Sequence, residues 1–147
     1  MCSSDLVVRG YWNKPEVSKE AFTDGWLHSG DIARIDEDGY VYIMDRIKDM
    51  INRGGEKIYS IEVENVLYSN PKILDAAVFG VPDKVFGEQV KAAVVLKPDQ
   101  TLTEQEVIDF CAQRLANYKI PRSVVFLDEL PRNPGGKVVK SQLLNLK

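Results

Sequence analysis

The residues of this sequence that could do chemistry fall in two clusters. The first runs from Ser29-Gly30-Asp31 through Asp45-Arg46-Ile47-Lys48 to Arg53-Gly54-Gly55-Glu56. The second is Pro131-Arg-Asn-Pro-Gly-Gly-Lys137. Asp31 brings two acceptor oxygens on one carboxylate, a match for a vicinal diol. Arg46 brings a planar fork of donors suited to oxyanions. Lys137 carries a compact charge on a flexible stem, and Pro134-Gly135-Gly136 before it makes a tight, exposed loop able to enter a cleft. Gly54 and Gly55 lack Cβ atoms, so backbone there can approach a narrow ligand closely. Each also has a plainer reading. Asp31 fits a turn after Gly30, Arg46 an exposed strand end, Lys48 and Lys137 solvated surface, and the glycines a ribbon turn needing positive φ.

The elements that must position these groups follow from local pattern. A short helix is expected from Glu16 to Phe22 within an irregular, aromatic-rich opening segment. Strands Ile32–Ile35 and Tyr40–Met44 flank Asp36-Glu-Asp-Gly39, whose Asp-Gly pair is a hairpin signal. A second ribbon spans Asp49–Ile58 around Arg53-Gly54-Gly55. Ser60 is expected to cap a helix through Ser69, with Val63, Val66 and Leu67 on one face, and Asn70-Pro71 ends it. Leu74–Val81, Val90–Leu96 and Val124–Leu127 read as strands. Thr103-Glu-Gln-Glu106 is a capping box, followed by Val107, Phe110, Cys111 and Leu115 at helical spacing. Val138–Leu146 reads as a short final helix. The fold class is α+β: a small domain over residues 47–147, with a three-stranded sheet flanked by helices and a two-stranded ribbon. Residues 1–46, a β-hairpin remnant of a larger domain, precede it.

Bulk composition excludes several classes. The 147 residues are 44% hydrophobic and 28% charged, with net charge −3 from 22 acidic and 19 basic residues. That balance argues against a general nucleic-acid or anionic-membrane binder. No apolar run approaches the length of a membrane span. Cys2, Cys111 and the single His28 make neither a disulfide framework nor a zinc site. Asp36–Gly39 lacks the ligand spacing of a calcium loop, so no metal site is expected. No secretory signal opens the chain, and the expected location is cytoplasmic.

Taken together, the two clusters resemble the adenylate-forming (AMP-binding) enzymes, acyl-CoA synthetases and long-chain fatty acid–CoA ligases above all. The likeness runs from Gly10 to Leu144 and covers only the C-terminal part of a family member. It implies a reaction in which a carboxylate and ATP give an acyl-adenylate that a thiol then attacks. Bringing a carboxylate against a phosphate needs cationic help and close positioning. By this resemblance Lys137 is the catalytic lysine, Asp31 and Arg46 hold the ribose and phosphate region of ATP or AMP, and Lys48 is the hinge between domains. Gly54 and Gly55 would line the pantetheine passage, with Phe86 near the CoA nucleotide, although packing explains Phe86 as well. Ser29 stands where the usual motif has Thr, and Asp45 where many members have Gly.

The implied cosubstrates are ATP (with Mg, bound mainly by the missing domain) and CoA, and the implied partner is the missing N-terminal domain of the same enzyme. The phosphate-cradling loop and the acyl pocket are absent, so the isolated chain is expected to be inactive. Tyr11, Trp12, Trp26, Leu27, Val41 and Ile43 should bury against that missing domain, or else favour pairing between chains. Two alternatives stay open: the C-terminal part of an adenylation domain that loads a carrier protein, and a stand-alone, non-enzymatic module binding CoA or a partner.

Overall fold

The structure, a computed structural model, describes residues 7–144. The chain divides into two compact units, Met1–Lys48 and Asp49–Lys147.

The first unit is built from short local pieces. Helix α1 (Pro15–Ala21) starts with proline at its first turn, where the missing N–H costs nothing. The Ser18 hydroxyl donates to the Lys14 carbonyl and accepts from Tyr11 N, both at 2.8 Å, tying α1 to the turn before it. Strands β1 (Phe22–Thr23) and β2 (Trp26–Leu27) pair across Asp24-Gly25, both at positive φ as a two-residue hairpin loop favours. Strands β3 (Asp31–Ile35) and β4 (Val41–Arg46) pair antiparallel, with a bulge between Ile32 and Ala33. Their loop is set by Asp36, whose Oδ1 accepts from Asp38 N and Tyr40 N. The ladder reaches one residue earlier and two residues later than the apolar pattern indicates, and so takes in Asp31 and Arg46.

The second unit holds the core. Strands β5 (Ile51–Arg53) and β6 (Glu56–Ile58) form the ribbon, followed by helix α2 (Ser60–Tyr68). The long strands β7 (Ile73–Asp83) and β8 (Gly87–Leu96) pair antiparallel, and helix α3 (Glu104–Ala112) leads to β9 (Ser123–Phe126), parallel to β8. Helix α4 (Lys140–Leu143) follows. The ribbon is not separate from the sheet. Arg53 pairs with Gly87, giving one five-stranded sheet in the order β6-β5-β8-β7, with β9 also on β8. A single bridging pair leaves no periodic trace in sequence. Strand β7 runs past Pro82, which an edge strand tolerates because it has no outer neighbour to receive a bond.

Both faces of the sheet are covered, which explains why β7 and β8 read as nearly continuous apolar runs. Ala76, Val78, Ala92 and Val94 face one layer, with Val63 and Leu67 of α2 and Val107 and Cys111 of α3. Ala77, Phe79, Ala93 and Val95 face the other, closed by Leu130 and Leu143. Every buried apolar residue of the described core lies at or after Ile51.

Three sequence expectations need correction in detail. Ser60 does not cap α2: Tyr59 occupies that position without a side-chain bond, and the buried Ser60 hydroxyl accepts from Lys140 Nζ at 2.7 Å. Helix α3 ends at Ala112, so Leu115 packs on the core from beyond it. The final helix spans Lys140–Leu143, while Asn145 and Leu146 lie outside the described residues. Cys2 also lies outside them.

Candidate functional site

The β3–β4 register places Asp31 directly across from Arg46. Arg46 Nε stands 3.5 Å from Asp31 Oδ1. Gly30 at φ +76° turns the chain into β3, and its carbonyl accepts from Ile47 N at 2.9 Å, locking the two strand ends together. The Ser29 hydroxyl accepts from Asp31 N. Asp45, one residue before Arg46, is 2% exposed and accepts from Arg46 N at 2.8 Å. A solvent-exposed ion pair such as Asp31–Arg46 adds about 0.2–1 kcal/mol to stability, so its use lies in presenting a carboxylate and a guanidinium side by side. Lys48 follows in a single 3-10 turn (Ile47–Asp49), exposed, at the division between the two units.

Gly54, Gly55 and Phe86 come together where the ribbon meets the β7–β8 turn. Gly54 N donates to the Phe86 carbonyl at 2.8 Å, and both glycines have positive φ. A Cβ on Gly54 would lie 3.1 Å from Phe86 Cδ1, whereas one on Gly55 would meet open space. Phe86 is held from two sides. The Asp83 carboxylate accepts from Phe86 N and Val85 N, bonds that keep it below the ordinary carboxylate range. The Arg53 guanidinium lies 4.3 Å over the ring, with its Nε buried and otherwise unpaired.

Lys137 stands at the tip of a hairpin formed by residues 132–138, where Arg132 bridges Val138. Asn133 makes the turn: its N–H donates to the Lys137 carbonyl, its carbonyl accepts from Gly136 N, and its Oδ1 accepts from Lys137 N at 3.0 Å. Gly136 at φ +80° closes it. Residues 132–137 are all exposed, and the Lys137 ammonium has no acceptor among the described residues. The tip is therefore an ordered backbone carrying an uncommitted cation. Arg132 and Asn133 set this geometry through Gly136 and Lys137, a role that their residue types alone do not assign. Asn before Pro-Gly is the signal that could have exposed the turn.

Lys137 and the glycine pair serve different ends of one sheet. Arg132, beside the tip, bonds Asp75 near the start of β7, whereas Phe86 follows Asp83 at its finish. At the ordinary rise of a strand those ends are roughly 25 Å apart.

Other groups are committed elsewhere. Burial pushes the Cys111 thiol up to about 11, which leaves it an inert core residue. Trp12 is 96% exposed on the first unit. Among the described residues no three His, Cys, Asp or Glu side chains gather as metal ligands. None of the described helices is long and apolar enough to cross a membrane.

The chain is similar to known proteins over nearly its whole length. The chain is 45% identical over 140 residues to a long-chain-fatty-acid–CoA ligase of Mycobacterium tuberculosis, covering 95% of the chain and 28% of that protein. It is 47% identical over 141 residues to a feruloyl-CoA synthase of Amycolatopsis sp., covering 96% of the chain and 29% of the relative. The chain thus spans less than a third of the length of the curated relatives it matches. Among solved structures, the o-succinylbenzoate CoA synthetase of Bacillus subtilis in complex with its acyl-adenylate superposes with TM-score 0.87 at 40% identity, covering 95% of this chain and 28% of that one. The ATP-bound MatB of Rhodopseudomonas palustris gives TM-score 0.86 at 42% identity over 92% and 27%. The model of the AMP-binding enzyme C-terminal domain matches residues 62–137, from the first turns of α2 to the tip lysine itself, and the chain belongs to that family.

Proposed function

We propose that this chain is the C-terminal part of an ATP-dependent carboxylic acid–CoA ligase, and that it works only with an N-terminal body carrying the acyl pocket and the phosphate loop. The observation that carries this reading is Lys137: an ordered, exposed tip with an unpaired ammonium. Such a cation can be brought between a carboxylate and an α-phosphate, where it stabilises charge that builds up in the transition state. Asp31 would accept from the ribose hydroxyls, and Arg46 beside it would reach the ribose and phosphate region. Lys48 is the hinge in this reading, and residues 1–46 belong to the larger body. Among the described residues all buried apolar side chains lie beyond that segment, while Tyr11, Trp12, Trp26, Val41 and Ile43 stay exposed in it. Both facts support a missing partner surface. Gly54, Gly55 and Phe86 would form the passage for the pantetheine thiol at the far end of the sheet. CoA is favoured over a carrier-protein thiol because the similar curated proteins are CoA ligases.

The test is ATP–pyrophosphate exchange in the intact ligase. Lys137→Ala should lower adenylate formation by about 100- to 1,000-fold, the scale of losing one preorganised charge stabiliser. Thioester formation from preformed acyl-adenylate should be far less affected. Residues 1–147 alone should show no exchange. Full exchange activity in the Lys137→Ala enzyme, or robust exchange from the isolated chain, overturns the proposal.

A further inference from the structure

The tip that carries Lys137 contains two consecutive glycines, yet it is held in one conformation from the side. Arg132 Nη1 donates to the Gly136 carbonyl at 2.6 Å, and its Nη2 reaches Asp75 Oδ2 on β7 at 2.5 Å. Asp75 Oδ1 in turn accepts from the Tyr68 hydroxyl of α2 at 2.7 Å. We propose that Arg132 is a positioning residue for Lys137: clamped by Asp75 and Tyr68, it fixes the peptide that immediately precedes the lysine and so sets where the ammonium points. This rests on the reading of Lys137 as the adenylation lysine.

The planar guanidinium is suited to the task, because one fork serves an anchor and a target at fixed geometry, which an ammonium does not. Holding the Gly136 carbonyl removes much of the freedom that Gly135-Gly136 would otherwise leave to the tip. Burial opposes ionisation of Asp75, but the bonds from Tyr68 and Arg132 outweigh it and hold the carboxyl below its ordinary 3.8, so the anchor stays charged at neutral pH.

A second tie separates position from stability. After the tip, Lys140 Nζ pairs with Glu64 Oε1 at 2.8 Å and donates to Ser60 Oγ, and Glu64 also accepts from Val78 N. Those side chains are only 20% and 16% exposed, so this pair belongs to the folded core, and breaking it damages the fold. The Arg132 side chain is 45% exposed although Asp75 is only 19% exposed, so water screens the pair from the arginine side and it adds less to stability than the Lys140–Glu64 pair. Its loss should move the tip and spare the domain.

Amide hydrogen exchange on residues 1–147 tests the clamp. Arg132→Gln should speed exchange at Gly136 and Lys137 on the order of tenfold while Val78 and Val94 keep their protection. Asp75→Asn should do the same, and the double variant should go no further than either single one. In the intact ligase, Arg132→Gln should lower kcat for adenylation on the order of tenfold or more with KM for ATP little changed, as expected for a misplaced group. It should have no added effect in a Lys137→Ala background. Unchanged tip exchange overturns the clamp. A loosened tip with unchanged kcat, or an Arg132→Gln effect that persists in the Lys137→Ala background, overturns the positioning role. If Lys137→Ala alone leaves adenylation intact, the reading of the lysine falls while the exchange result still reports on the clamp.

Discussion

Gly54 meets two demands that only glycine satisfies together: φ of +61° and a Phe86 ring edge 3.1 Å from where a Cβ would sit. Gly55 at φ +95° meets only the first. A left-handed conformation costs an L-residue about 1–2 kcal/mol, so either alanine substitution should lower thermal stability. Gly54→Ala should also displace Phe86 and the Arg53 stacked on it, so in the proposed CoA ligase it should slow the thioester half-reaction more than Gly55→Ala, as stopped-flow assay of the intact enzyme with acyl-adenylate and CoA would show. Equal effects would mean that the ring contact is incidental. At this scale the sequence was informative about residue type and silent about partners. Asp31 and Arg46 stood out as candidates, but their pairing across a ladder depended on strands extending into charged residues. The part played by Arg132 leaves no local signal, because its anchor Asp75 lies on another element far back in the chain.

The capping box that opens α3 is complete: Thr103 Oγ1 accepts from Glu106 N, and Glu106 Oε2 accepts from Thr103 N at 2.7 Å. These bonds hold the Glu106 carboxyl below its ordinary range. Thr103→Ala should cost about 1 kcal/mol, read as a lower urea midpoint with unchanged slope. Every part of that motif lies within four residues, which is why it was legible. Helix α2 shows the opposite case. Ser60 has the residue type of a cap, yet a lysine eighty positions later takes its hydroxyl (Lys140 to Ser60), and Tyr59 occupies the N-cap position without a side-chain bond. Strand cores are readable from their apolar runs, whereas strand ends, the ribbon's attachment to β8 and the parallel pairing of β9 depend on contacts that local pattern does not encode.

For the molecule as a whole, burial is concentrated in the second unit. Amide exchange on residues 1–147 should therefore show strong protection in β7, β8 and α3 and weak protection in β3 and β4, whose Ile35, Val41 and Ile43 are exposed. Protection in β3–β4 matching that of β8 would refute this division. In sequence the change to alternating helices and strands comes only beyond the Asp49–Ile58 ribbon, whereas the compact units of the structure divide at Lys48.

The second face of the sheet has a further consequence. Ala77, Phe79, Ala93 and Val95 are covered by Leu130 and Leu143, which lie dozens of residues downstream. While the ribosome is still making residues 97–129, a finished β7–β8 hairpin must wait with one oily side bare. Nascent chains at that stage should be natural clients for a chaperone, and release comes when the segment bearing the Lys137 tip folds down as the closing cover.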